Sequence, residues 1–567
     1  MHLILALLLL FSPYLAASSF TSPPASTSAG VVERQIEKEY EAKPLEPRKD
    51  VPLLEIDLPE DQLYMKSGAT IDLKAVEFKG NTLLSDRELM KLTVPYLYRK
   101  VTMREIRELC ISIQKLYVKQ GYFLARAFPP AQKVQDGVLT LQIVEGSLGK
   151  VTVVGNHYYK SSFIAAFFRH LKGKPIQYDE IIKAVMLAND NTDLTVGVVF
   201  EKGEEKGTAD IIVRVVDRNP VHGYIDYNTY GSHANTYQRT GLKLDYGNLL
   251  MNGDTFTAIQ VLGLPFDHLQ FYDLIYSLPL NHRGTSMSLS YLYSNFQVNR
   301  DSSLDPSGRS IIAGINVQQA VIRTKNISAN VSFEFDYKQI SNLFHNRVIS
   351  IDNLRLLLGN FYIDAFDGWR GRNVGTFQLS WGIPDFLASS KPVSPHASRE
   401  GSGARFVYLN LDYKRIQEIT STQYFVFNFA SQYSFNKLPL SEQFYIGGMD
   451  TVRGYAMATA LGEQGYYGNF EYRFPIPFLK DFKLPNSHRK LSGLVQLVGF
   501  LDTGAVYTKG NDPFHEHAPV YLTSTGVGLR IINFYRFNFN FDVGFGLSKA
   551  HRPSSSVLYY RLSYTLL

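Results

Sequence analysis

Hydrophobic and polar positions alternate with a period of two along most of the C-terminal part of this chain. Phe537, Phe539, Phe541, Val543, Phe545 and Leu547 are separated by Asn538, Asn540, Asp542, Gly544 and Gly546. The same rhythm runs through Ile327–Tyr337 and Leu558–Leu566. It is weaker in Val221–Tyr230, Leu242–Asn248, Met287–Tyr293, Phe425–Phe435 and Phe470–Phe474. Successive residues of a strand point to opposite faces, so each run predicts a strand that is apolar on one side only. Runs of about ten residues are long for soluble sheets and match a tilted transmembrane strand, with its apolar face on lipid and its polar face on a wet lumen. Lipid cannot satisfy an open sheet edge, so such strands close into a barrel. From Asn219 onward, at roughly 20 residues per strand and connection, the chain holds about 16 strands, an even number as expected of bacterial barrels. The competing reading is a soluble β-sandwich, which leaves so long a series of these runs unexplained.

The preceding stretch reads differently. Val76–Asn81 is an apolar strand ending in Gly-Asn; Ser85 with Glu88 and Thr102 with Glu105 are capping boxes that open two helices. The second helix carries Met103, Ile106, Leu109, Cys110, Ile113, Leu116 and Tyr117 on one face and stops at Gly121. Strands Tyr122–Phe128 and Val138–Val144 follow, the second after a turn at Asp136-Gly137. This β-α-α-β-β order recurs: Val151–Asn156 repeats the strand with its Gly-Asn, helices follow at Ser162–Leu171 and Asp179–Leu187, and strands at Thr195–Glu201 and Ala209–Val216. A period of about 75 residues predicts tandem copies of one small domain.

At the N-terminus, Leu3–Phe11 is apolar and Ala16-Ala17-Ser18 is small. The run is too short to span a bilayer and fits the apolar core of a secretory signal, although the usual basic stretch is missing and only His2 precedes it. Ser18–Gly30 is rich in Ser, Thr, Pro and Ala and is expected to be disordered. Val31–Lys43 is a charged helix candidate, and Pro44, Pro47, Pro52 and Pro59 mark a linker. Composition then fits. Aromatic residues make up 13% of the 567, which suits girdles at the membrane boundaries. The net charge of +6 is too mild and too spread for a nucleic-acid binder. The one cysteine, Cys110, excludes disulfide frameworks and multi-cysteine metal sites.

The sequence shows no catalytic residue, metal site or cofactor site. Gly146–Val151 fails the spacing of a phosphate-binding loop, and zincin, nucleophile-elbow and dinucleotide fingerprints are missing. Asn326-Ile-Ser and Asn330-Val-Ser match the glycosylation sequon but fall where alternation alone produces them, both read as mid-strand. His515-Glu516-His517 reads as an exposed loop tip.

Two short motifs stand apart. Gly447–Tyr455 contains Val452-Arg453-Gly454-Tyr455 between two strands. An arginine is costly against lipid, so this segment must face the lumen or water. Further along the chain, Phe500, Asp502 and Gly504 alternate on one strand, with Asp502 as an inward carboxylate able to pair with Arg453. In this order, behind two β-α-α-β-β repeats, the motifs resemble the superfamily of outer-membrane protein translocators and barrel-insertion factors, and the repeats resemble its POTRA domains. Two repeats rather than three or five resemble the TpsB transporters of two-partner secretion. The resemblance covers about residues 31–567, and the ending Tyr564-Thr565-Leu566-Leu567 departs from the terminal Phe of many outer-membrane barrels.

The resemblance implies an all-β transmembrane barrel preceded by two POTRA domains. Together with the N-terminal reading, it divides the chain into a signal peptide (1–18), a disordered segment with a plug helix at 31–43 and a linker (19–70), a first POTRA domain (71–147), a second (148–217), and an outer-membrane barrel (218–567). It implies a pore that takes an unfolded TpsA-type exoprotein, hemolysin- or adhesin-like, from the periplasm across the outer membrane. The further partners implied are outer-membrane lipid and, during biogenesis, the barrel-assembly machinery, with no cofactor. The rivals are a barrel-assembly factor, which typically has more repeats, a barrel phospholipase or protease, and a passive porin.

Overall fold

A computed structural model describes residues 28–41, 55–56, 70–232, 236–297, 306–479, 482, 490–509, 519–548 and 556–566. The signal-peptide reading, most of the linker and His515-Glu516-His517 lie outside these residues. Among the described residues no helix is long and apolar enough to cross a membrane; the crossing is made by strands. Sixteen of them form a closed antiparallel barrel, numbered here β1 (Val221–Asn228), β2 (Arg239–Gly247), β3 (Thr255–Gly263), β4 (Leu269–Pro279), β5 (Thr285–Gln297), β6 (Pro306–Arg323), β7 (Ile327–Phe344) and β8 (Arg347–Phe366). The second half comprises β9 (Gly371–Gly382), β10 (Phe406–Thr420), β11 (Gln423–Ser434), β12 (Gln464–Pro475), β13 (Val495–Tyr507), β14 (Val520–Phe534), β15 (Phe537–Gly546) and β16 (Val557–Thr565). Neighbours in sequence are neighbours in the wall, and β1 closes on β16 over Tyr224–Asn228 and Arg561–Thr565.

Alternation sorts the two faces. On β7, Phe333 and Tyr337 are exposed on the lipid side, while Ser332 and Asp336 are buried on the lumen side. The strands are less uniform than the expected ten residues. β6, β7 and β8 contain 18, 18 and 20 residues, well past the about 10 that an apolar band needs, so their outer ends project beyond the membrane. The sequon reading also changes. Asn326 lies in the turn between β6 and β7, not within a strand, and Asn330 faces the lumen, where it accepts from Arg323 Nη2 at 2.7 Å.

A helix, α1 (Ala29–Glu41), lies inside the lumen. Val31, Val32 and Ile36 pack against the wall residues Ile259, Val261, Phe271 and Leu292.

Two α+β units precede the barrel. The first places α2 (Asp86–Thr93) and α3 (Met103–Lys119) on a sheet ordered Ala75–Lys79, Val138–Val144, Arg126–Phe128. Ile106, Leu109, Cys110, Ile113 and Tyr117 form its core with Leu139 and Leu141. Burial raises the Cys110 thiol to about 11, as expected of an inert core cysteine. The strand expected from Tyr122 starts only at Arg126, because Tyr122 N donates to Tyr117 O and Ala125 N to Tyr122 O, which commits the expected strand start to a turn. The second unit has α4 (Ser161–Ala166) and α5 (Tyr178–Asn189) over a sheet containing Ser147–Val154, Thr208–Asp217 and Leu194–Lys202.

The repeat is visible atom by atom. Gly80 and Gly155 have φ of +86° and +89°, and a Cβ on either would lie 2.4 or 2.5 Å from a carbonyl oxygen of the facing strand. The asparagines that follow each donate three residues onward, Asn81 to Leu84 O and Asn156 to Tyr159 O. A carboxylate near the end of each unit's last sheet strand receives the amides after this turn: Glu145 those of Thr82 and Leu83, Asp217 those of His157, Tyr158 and Tyr159.

Because β1 follows the second unit directly, that unit marks the periplasmic rim. It is tied there by Arg323 Nε to Asp190 at 2.8 Å, by Asn248 Nδ2 to Tyr158 O at 2.8 Å, and by the His282 ring against Phe163 and Phe167 at 5.3 and 4.9 Å.

Candidate functional site: the pore loop and its clasp

The connection from β11 to β12, residues 435–463, folds down into the lumen. It carries a small hairpin, Phe444–Ile446 with Ala460–Gly462. Between these strands Gly447 and Gly448 have φ of +104° and +106°, a region open to glycine at little cost. Gly448 N donates to Val452 O and Ala458 N to Gly447 O, which turns Val452–Tyr455 toward the wall formed by β12–β16.

Arg453 sits at the centre of the contact between loop and wall. Its Nε and Nη2 donate to the two oxygens of Asp502 at 2.7 and 2.8 Å, a bidentate fork, and its backbone N donates to Asp502 at 3.1 Å. Its Nη1 donates to Glu471 at 2.6 Å, and its guanidinium lies 3.6 Å from the centre of the Phe500 ring. Arg453 and Asp502 are both buried. The period-two spacing of Phe500, Asp502 and Gly504 puts all three on the lumen face of β13, and each has its own task. Phe500 stacks beneath the cation, Asp502 holds it, and Gly504 leaves room for Val452, since a Cβ there would lie 3.1 Å from Val452 Cγ2.

The rest of the loop motif is clasped as tightly. A Cβ on Gly544 of β15 would come within 2.5 Å of Gly454 N, so loop and wall meet glycine to glycine. Tyr455 Oη donates to Thr523 O at 2.7 Å and accepts from Ser548 N at 2.8 Å, and Tyr559 Oη donates to Tyr455 O at 2.7 Å. All seven motif residues therefore meet in one contact.

The remaining charges belong to neither sequence motif. Arg473 pairs with Glu471 at 2.7 Å, and Arg530 with Asp542 at 2.9 Å and Glu471 at 3.6 Å. Three arginines thus face three carboxylates. The signal was there in parity, because Glu471, Arg473 and Asp542 sit on the polar phase of their strands; knowing that β12 to β15 adjoin turns that parity into proximity.

The loop is also the seat of α1. Arg34 Nη2 donates to Gln443 O at 2.6 Å, and a Cβ on Gly30 would lie 2.5 Å from Ser441 Cβ. Tyr445, Met457 and Leu461 share a cluster with Val32 and Ile36. At its other end α1 bridges the barrel's closure. Tyr40 Oη donates to Asp226 at 2.5 Å, Asn228 Nδ2 to Glu39 at 2.8 Å, and Arg561 pairs with Glu39 at 3.4 Å and Asp226 at 3.2 Å. Among the described residues no cluster of side chains suits a metal ion.

A closed sixteen-strand barrel, two POTRA-type units preceding it and a lumen loop clasped to the wall define an outer-membrane translocator. The barrel lies in the outer membrane and the α+β units in the periplasm. A family model described as haemolysin secretion/activation protein ShlB/FhaC/HecB matches residues 207–531, and one for the ShlB-type POTRA domain matches residues 71–146. The chain belongs to this ShlB/FhaC/HecB family, whose function is two-partner secretion across the outer membrane. It is 21% identical over 491 residues to the heme/hemopexin transporter protein HuxB of Haemophilus influenzae, covering 84% of each chain. It is 24% identical over 411 residues to the hemolysin transporter protein ShlB of Serratia marcescens, covering 71% of this chain and 72% of that one. In fold it matches the solved structure of CdiB from Escherichia coli with a TM-score of 0.74 at 17% identity, covering 97% of this chain and all of that one. BamA from Haemophilus ducreyi, solved without its POTRA domains 1–3, matches at 0.51 and 14% identity, covering 88% of this chain and all of that solved chain.

Proposed function

We propose that this chain exports one large TpsA-type exoprotein, which reaches the periplasm unfolded and is held there by the two POTRA units, 71–147 and 148–217. Residues 1–18 would direct the chain out of the cytoplasm, and the barrel-assembly machinery would insert 218–567. The observation that carries this reading is the filled lumen: helix α1 and the pore loop pack on each other and on the wall. A passive porin needs an open lumen, whereas an exporter needs a removable closure. The seat of α1 combines an apolar patch, Val31, Val32 and Ile36 on the wall, with ion pairs and hydrogen bonds at Arg34, Glu39 and Tyr40 that water can replace. In this reading the Arg453–Asp502 clasp fixes the pore loop in its working pose, and Val452, Gly454, Tyr455, Phe500 and Gly504 fit it to the wall. The chain acts as a conduit and performs no catalysis; extracellular folding of the cargo helps drive export. Deleting the gene and comparing secreted and outer-membrane proteomes tests this. Loss of one very large secreted protein, with other barrels at normal levels, is the expected result. General depletion of outer-membrane barrels would identify an assembly factor instead.

A further inference from the structure

The loop between β9 and β10, residues 383–405, straddles the extracellular rim of the barrel. Its later part lies in the mouth. Ser398 N donates to Asp352 at 2.9 Å, Ser398 Oγ accepts from Leu440 N at 2.9 Å, and Arg399 forms a buried ion pair with Glu463 at the head of β12. Its first part turns the other way. Ile383 N still donates to Arg355 O on β8, but Phe386 then packs edge-to-face on Phe335 at 6.2 Å, and Phe335 belongs to the lipid-facing phase of β7.

Register fixes the depth of this contact. Tyr337 lies opposite Arg355, and Phe335 opposite Leu357. The exposed apolar face of β8 runs inward from Leu357, so Arg355 sits at its upper boundary and Phe335 one step inside it. Two residues of a tilted strand correspond to about 5 Å of depth. The loop therefore doubles back over the rim and down the outer wall.

A lipid-facing arginine at that boundary needs an explanation, and the loop supplies it. Arg355 is only 1% exposed: its guanidinium lies 3.5 Å from the centre of the Tyr337 ring, and Nε and Nη2 both donate to Leu387 O, at 2.9 and 2.6 Å. Backbone groups that approach lipid must be satisfied within the protein. Here Ser389 N donates to Phe386 O, Asp385 N to Ser390 O and Ser390 N to Asn353 O, while Arg355 covers the Leu387 carbonyl. With the carbonyls of Phe386 and Leu387 thus covered, the two residues present side chains that are 46% and 59% exposed, continuous with the lipid-facing belt of Phe335 and Leu357.

We propose that Phe386 and Leu387 insert among the lipid acyl chains of the outer leaflet and anchor the loop 383–405 there, with Arg355 as the residue that positions this lip. The mouth segment at Ser398–Arg399 is then held from both sides, by lipid outside and by the base of the pore loop inside.

The test uses the full chain in phosphatidylcholine vesicles whose acyl chains are brominated near the headgroup. The chain's two tryptophans, Trp369 and Trp381, are replaced by phenylalanine, and Phe386→Trp or Leu387→Trp supplies the probe. Tyr98→Trp, at an 82% exposed site in the first periplasmic unit, is the water-facing control. Heat-modifiable migration on gels confirms that each variant has folded. Both lip probes should be blue-shifted and quenched by brominated lipid on the order of threefold more than the control, because an aromatic ring in the leaflet leaves water. Adding Arg355→Ala should reduce that difference at Phe386→Trp. Lip probes that behave like the Tyr98→Trp control would overturn the proposal. Probes shielded from acrylamide yet untouched by brominated lipid would also overturn it and point to a protein covering the lip.

Discussion

At the residue scale the clasp is a buried cation surrounded by carboxylates, and its parts are unequal. Removing one partner of a buried, hydrogen-bonded charge pair costs about 3–5 kcal/mol, mostly because the other charge is left behind. Arg453→Ala strands Asp502, whose hydrogen bonds all come from Arg453, whereas Asp502→Ala leaves Arg453 with Glu471 at 2.6 Å. Both should sharply cut secretion while the barrel still inserts, with Arg453→Ala the more damaging; secretion assays beside heat-modifiable migration decide this, and wild-type export by both variants would remove the clasp from the mechanism. Gly544→Ala is a charge-neutral companion. Its Cβ meets backbone, Gly454 N at 2.5 Å, which no rotamer relieves, so it should reproduce the loss of secretion without removing a charge. This site was legible from sequence as far as Arg453, Asp502 and their flanking glycines, because an arginine next to a membrane has few places to go. Gly544 and Arg530 were not legible, because their roles arise from which strands become neighbours.

At the element scale α1 and the pore loop form one unit. Gly30 touches Ser441 so closely that only glycine fits at that crossing. Gly30→Ile should unseat the helix and raise conductance in planar bilayers without lowering barrel stability; unchanged conductance would show that the seat does not govern closure. The α3 cap gives a pH signature outside the membrane. The Thr102 amide, then the Arg99 guanidinium, hold Glu105 down at about 2, below the usual carboxylate value of about 4.3. Stabilisation is therefore full above about pH 4.3 and is lost as pH falls toward 2. Protection factors of the first α3 amides, relative to the intrinsic exchange rate at each pH, should fall across that window, and Glu105→Gln should flatten the response. Both capping boxes and the strand alternation were readable because they are local. The 18- to 20-residue lengths of β6–β8 were not, because beyond the membrane only pairing with a neighbour, not lipid, selects for strand.

At the scale of the molecule, the periplasmic units and the barrel are separable by construction. Closure of the wall depends on β1 meeting β16, with Arg561 pairing with Asp226 across the seam, all outside residues 71–217. The joint to the second unit consists of side-chain contacts at the rim, chiefly Arg323 with Asp190 and His282 between Phe163 and Phe167. Their loss exposes polar and aromatic groups to the periplasm without breaking a ladder. Deleting residues 71–217 should therefore leave a barrel that inserts and conducts in planar bilayers. Export should nevertheless stop, because the deletion removes the sheet edges on which an extended chain can add by main-chain hydrogen bonding. Continued export by the truncated chain would refute the docking role. A barrel that fails to insert would show instead that the rim contacts are part of its assembly.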